Sequence, residues 1–222
     1  MIRAIFEAGF DFAYLTAILI IGMAMLIQCR GNPQYKLWGW MAIVLGVGDA
    51  FHLVPRAYAL LTSGLEANIV ALGIGKLITS VTMTAFYVLL YRIWYIRYRI
   101  KNKNGLTAAI YVLAAIRTAL CLLPQNEWTN ATPPVLWGII RNIPFALMGL
   151  LLIIVFYRQA HKHSDWSFRW LWLAVTLSFA FYIPVVLCAG TYPIVGVMMI
   201  PKTIAYVWIV WLGYKDMKKK FR

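Results

Sequence analysis

Seven stretches of about twenty mainly apolar residues follow one another along the chain, separated by short polar links. A hydrocarbon layer about 30 Å thick needs that length of helix to cross it. Inside lipid every backbone N–H and C=O must be satisfied within its own segment, so runs of this length have one outcome, the α-helix. The expected fold is all-α, a polytopic bundle of about seven transmembrane helices. The spans are read at 9–28, 37–58, 67–91, 106–123, 135–157, 170–189 and 194–214. They use nearly all of the 222 residues, so 1–222 is expected to form a single domain. Composition agrees: 63% hydrophobic and 13% charged is far from a soluble domain, which is near half apolar and a quarter charged.

Charge orients the bundle. The links between spans 1 and 2, 3 and 4, and 5 and 6 are basic, as is the C-terminal tail. The link at 124–134 and the one after span 6 hold no lysine or arginine. Lysine and arginine collect on the cytoplasmic side. With seven spans this predicts the N-terminus outside and the C-terminus in the cytoplasm of a multi-pass cell-membrane protein. By that reading 15 of the 21 basic residues are cytoplasmic, and five of the seven acids (Glu7, Asp11, Asp49, Glu66 and Glu127) are not. The formal charge of +14 therefore needs no nucleic acid. Anionic membrane lipids are its expected partners, met by Lys218, Lys219 and Lys220, and a protein partner at the basic 92–103 segment is a further option. Only Arg3 precedes the first span as a basic residue, and Glu7 and Asp11 follow it, so that span is expected to be retained rather than cleaved.

With direction fixed, the depth of each polar residue follows from 1.5 Å of rise per residue. Asp49, His52 and Arg56 fall in the outer half of span 2, Lys76 in that of span 3, and Arg117 in that of span 4. Arg141 and Asn142 of span 5, Tyr182 of span 6 and Lys202 of span 7 come to a similar level, and Asp11 of span 1 is placed to join them. Five of seven helices thus bring an ionisable group to one slab. Charges in hydrocarbon cost several kcal/mol and normally face a bundle interior with partners. The expectation is an outward-facing, cation-rich cavity in which an anionic small molecule or lipid headgroup offsets the excess positive charge. The plain alternative is that Arg56 and Arg117 snorkel to the interface. In that case Lys76, Arg141 and Lys202 pair internally with Asp49, Asp11 or Glu66.

Asp49, His52 and Arg56 lie at i, i+3 and i+7, on one helical face. An aspartate one turn from a histidine orients the imidazole, as a general acid–base pair requires, which makes Asp49 and His52 the catalytic candidates. Lys76 and Ser80 stand at the spacing of a Ser/Lys dyad. Pro144 beside Arg141 and Asn142, and Pro201 beside Lys202, read as helix breaks next to charge. Cys121 and Cys188 sit near the outer ends of spans 4 and 6, where a disulfide is conceivable. No spacing points to a metal or a cofactor.

Seven spans with Lys202 in the last, and the segment Tyr182-Ile183-Pro184 in span 6, are similar to features of the microbial rhodopsins. The likeness stops there: Met198 stands where that family has an acid one turn before its retinal-bearing lysine, so bound retinal is not expected. Three functional readings follow, in this order. The first is a protein that binds, and on release to the far side transports, an anionic small molecule or headgroup. The second is an intramembrane enzyme acting on a lipid or prenyl-linked substrate through Asp49 and His52. The third is a membrane subunit or sensor acting through a cytoplasmic partner.

Overall fold

The computed structural model describes residues 2–101, 104–190 and 192–221, apart from the side chains of residues 2, 3 and 193. Lys103 and Arg222, and the side chain of Arg3, which entered the charge argument, lie outside the described residues. Seven long helices run in order: α1 (Ile2–Gln28), α2 (Pro33–Leu61), α3 (Ile69–Arg97), α4 (Asn104–Leu122), α5 (Val135–Lys162), α6 (Leu171–Cys188) and α7 (Met199–Phe221). Each contributes to a segment long and apolar enough to cross a membrane. No strand occurs among the described residues. Large apolar side chains such as Phe6, Ile20, Ile27, Leu136 and Ile204 face outward, as a lipid-facing surface requires.

The helices extend past the expected spans at the basic end. The segment up to Arg97, residues 158–162 and the lysine-rich tail are all helical. Lysine and arginine are good helix formers, and at a helix C-terminus they complement its dipole. Pro201 departs from expectation in a second way. It occupies the third residue of α7, after a 3₁₀ segment at Pro193–Met198, and so does not break a helix interior. First-turn N–H groups have no partner within an α-helix, so proline costs little there. Local signals place the α1–α2 turn: Arg30 and Gly31 take positive φ, and the Asn32 side chain then accepts from the N–H groups of Gln34 and Tyr35 at 3.0 and 3.4 Å.

Consecutive helices are neighbours, and α1 meets α7, which closes the ring. Contacts of α2 with α7 and of α3 with α5 fill its middle. The α2–α3 seam is the tightest, and small residues allow it. Pro55 leaves the Phe51 carbonyl without its helical donor, and Gly75 of α3 lies directly against that carbonyl. A Cβ at position 75 would sit 2.3 Å from the Phe51 oxygen, and one at Gly48 would sit 2.0 Å from Thr82 Oγ1. Gly75→Val is therefore expected to lower the unfolding free energy by about 3 kcal/mol, because backbone cannot step aside as a flexible side chain does. Thermal unfolding in detergent measures it, and an unchanged midpoint would refute the seam as described.

Candidate polar site in the bundle half opposite the basic links

The links carrying most of the lysine and arginine, with the tail, define one end of the bundle, called the basic end. The other half holds the predicted residues, and they divide into two groups with Lys202 between them.

The first group belongs to α1 and α2. Arg56 donates to Glu7 through Nε and Nη2, so a carboxylate of α1 answers its charge. The Tyr14 hydroxyl donates to Asp49 Oδ2 at 2.7 Å, and Asp49 is 8% exposed. The Asp49–His52 pair expected from spacing is not formed. Asp49 is turned to Tyr14, while His52 Nδ1 is buried with no hydrogen-bond partner. The charges acting on His52 are mainly the cations Lys76 and Arg56. One helical turn sets two side chains on a common face but does not aim them at each other, and Tyr14 of α1 holds the carboxylate. Asp11 joins this group, buried with Oδ2 unpartnered.

The second group belongs to α4, α5 and the link between them. Arg117 is 2% exposed, and its guanidinium lies 3.4 Å from the centroid of the Phe145 ring. Its Nε and Nη1 have no hydrogen-bond partner. Arg141 donates to Asn126 Oδ1 at 2.8 Å and lies over the Trp128 ring at 4.2 Å. Asn126 is itself buried, donating to the Leu120 and Leu123 carbonyls that end α4. Trp128 Nε1 donates to the Cys121 carbonyl, which folds the link back over the bundle. Gly73 of α3 permits this closure, because a Cβ there would meet the Trp128 carbonyl oxygen at 1.8 Å. Asn142 Nδ2 donates to the Gly138 carbonyl, and its Oδ1 accepts from the Tyr182 hydroxyl at 3.1 Å.

Lys202 joins the two groups. Its ammonium lies 4.8 Å from the Tyr182 ring centroid and 5.3 Å from that of Tyr206, and Asp49 is the opposite charge acting on it. Yet among the described residues no carboxylate comes within 4.0 Å of Lys202, Arg117 or Arg141. Lys76 stays exposed on α3, and the Ser80 hydroxyl donates to its main-chain carbonyl, so the Ser/Lys dyad is not assembled. Cys121 and Cys188 are free thiols. No group of three or more His, Cys, Asp or Glu comes together among the described residues.

The central members of the outward-facing cavity expected from sequence are enclosed side chains. Arg117, Asp49 and Lys202 are buried, with a ring against Arg117 and against Lys202, and the folded-back link covers Arg141. A buried cation over an aromatic face gains about 1–2 kcal/mol, against several for taking a guanidinium out of water. Arg117 thus keeps two donor nitrogens, Nε and Nη1, without an acceptor.

Spacing did not reveal a second cluster, at the basic end. Arg97 donates to Asp165 at 2.8 and 2.9 Å and to Asp216 at 2.5 and 3.2 Å, with the Phe168 ring beneath it at 4.1 Å. The Tyr35 hydroxyl donates to Asp216 and that of Tyr98 to Asp165, while Asp165 also accepts the N–H groups of Ser167 and Phe168. One guanidinium thereby ties α2, α3, the α5–α6 link and α7. Burial pushes the Asp165 carboxyl up, but the hydrogen bonds and charge of Arg97 outweigh it and hold the group below the usual carboxylate value. Burial and the Asp165 charge push the Tyr98 hydroxyl well above its usual value. The sequence signal was faint: Asp165 and Asp216 are the only acids among the basic links and tail.

No family model, curated protein or solved structure matches the chain.

Proposed function

We propose that this multi-pass membrane protein binds an anionic small molecule or a lipid headgroup between α4, α5, α6 and α7. We place that half of the bundle toward the outside of the cell membrane, with the basic end in the cytoplasm. The observation that carries the reading is Arg117: buried, positively charged, and with two donor nitrogens that nothing in the chain accepts. A carboxylate or phosphate there would accept from an unpartnered Arg117 nitrogen, with Lys202 and Arg141 adding charge from neighbouring helices. Entry requires the 123–134 link to move, since Trp128 covers Arg141. Release to the opposite face would make the binding protein a transporter. The enzymatic alternative has less behind it, because Asp49 does not orient His52.

Thermal unfolding of the purified chain in non-ionic detergent tests the proposal with acetate, succinate, inorganic phosphate and glycerol phosphate. At least one should stabilise the protein, by about 2.7 kcal/mol at a hundredfold excess over its dissociation constant. Arg117→Gln should remove the response and Arg141→Gln should weaken it. Absence of any response, or one unchanged in Arg117→Gln, would overturn the reading.

A further inference from the structure

The basic end carries a groove of ≈ 660 Å³ between the α5–α6 link and the last three turns of α7. We propose that it is a binding site for the phosphodiester headgroup of an anionic bilayer phospholipid, separate from the site around Arg117.

The groove changes character along α7. Trp211 and Leu212 line it where the helix is still apolar, and Lys215, Lys218 and Lys219 line it further on. Positions 211, 215 and 218 are one turn apart and share a face. At 1.5 Å per residue, that face passes from indole to ammonium over about 10 Å, which is the depth from acyl chain to phosphate at a membrane surface. The facing wall repeats the pattern. Trp166 and Trp170 are exposed, and the Arg169 guanidinium lies over both rings at 4.6 and 4.9 Å. An arginine held by aromatic faces keeps its edge donors free for phosphate.

Charge decides between occupants. The groove's one carboxylate, Asp216, is already taken by Arg97 and the Tyr35 hydroxyl. Four cations (Arg169, Lys215, Lys218 and Lys219) therefore face the groove with no carboxylate among the described residues within 4.0 Å of any of them. A soluble anion would use the cationic end and leave the indoles exposed. A phospholipid uses both, laying its glycerol and first methylenes on Trp211 and Trp170 and its phosphate among the four charges. Each cation near an anionic surface adds about 1 kcal/mol.

The test is lipid binding to the purified full chain in neutral detergent, read by native mass spectrometry and thermal shift. The probes are dioleoylphosphatidylglycerol, dioleoylphosphatidylcholine and glycerol 3-phosphate. Phosphatidylglycerol should bind at least tenfold more tightly than phosphatidylcholine, and glycerol 3-phosphate should not displace it. The Arg169→Gln/Lys215→Gln/Lys218→Gln variant should lose at least tenfold in affinity, and Trp211→Ala should lose severalfold. Arg92→Gln/Arg158→Gln, which removes two exposed cations outside the groove, should bind as the parent does. Arg117→Gln should also leave the lipid response intact, which separates this site from the proposed anion site. Equal losses in the groove variant and the Arg92/Arg158 control would overturn the proposal in favour of diffuse charge attraction. Displacement by glycerol 3-phosphate would overturn it in favour of a soluble anion. Preference for neither lipid would also defeat it. A circular dichroism melt confirms that each variant is folded before its affinity is compared.

Discussion

Replacing Arg97 with methionine is expected to lower the unfolding free energy by about 3–5 kcal/mol, the size of loss seen when one partner of a buried ion pair is removed. Both aspartates are largely buried, with side chains 9% and 8% exposed, so the variant leaves two carboxylates with only tyrosine hydroxyls and, for Asp165, two backbone N–H groups to answer them. Arg97→Lys should recover less than half of the loss, since a point charge cannot serve two carboxylates as a guanidinium fork does. Asp165→Asn should cost more than Asp216→Asn, because Asp165 also accepts the backbone N–H groups that open the turn before α6. The pH dependence has a definite sign. A carboxyl held below its unfolded value contributes stability that is complete above about pH 4 and is lost as pH falls toward the folded value. The raised Tyr98 hydroxyl contributes stability that is complete below about pH 10 and is lost as pH rises beyond it. Unfolding midpoints between pH 3 and pH 11 should show a flat centre that falls at both ends. In Arg97→Met the acid fall should shrink. A loss under 1 kcal/mol for Arg97→Met would show that the cluster does not hold this end together.

The same substitution at Arg117 is expected to act in the opposite direction. Arg117→Met should raise the unfolding free energy of the ligand-free protein by about 2 kcal/mol while removing its response to anions. The difference lies in the partners. Arg97 donates four hydrogen bonds, all to two carboxylates, and these repay its burial. Arg117 has the Phe145 ring and two unsatisfied nitrogens. Methionine keeps most of the apolar stem, fills irregular space and brings no charge into the bundle. Thermal unfolding with and without inorganic phosphate reads both quantities at once. A purely structural arginine would give a lower midpoint on replacement, and that result would remove the main support for a ligand site.

The helical elements were legible because lipid leaves the backbone few choices. The centres of all seven helices fall where apolar length puts them, and α5 begins at the expected residue, Val135. Helix ends were less legible at the basic end, where polar residues can continue a helix into water as readily as stop it. Of the ionisable residues expected at one depth, Asp49, Arg117 and Lys202 are buried and Lys76 is exposed. The wiring of the site was not legible. Tyr14, Asn126, Trp128 and Phe145 are ordinary residues in sequence and carry no spacing signal, yet they decide what Asp49, Arg141 and Arg117 touch.

The sequence by itself determined that the chain is a seven-helix membrane bundle with its cations gathered at one end, since transfer energies and backbone satisfaction act on each segment alone. Only the tertiary structure decided which charges are neutralised: Arg56 by Glu7, Arg97 by two aspartates, and Arg117 by none. Pairing depends on side-chain direction and on distances of a few ångströms between helices far apart in the chain. Coulomb energy changes steeply over those distances, while sequence spacing is blind to them.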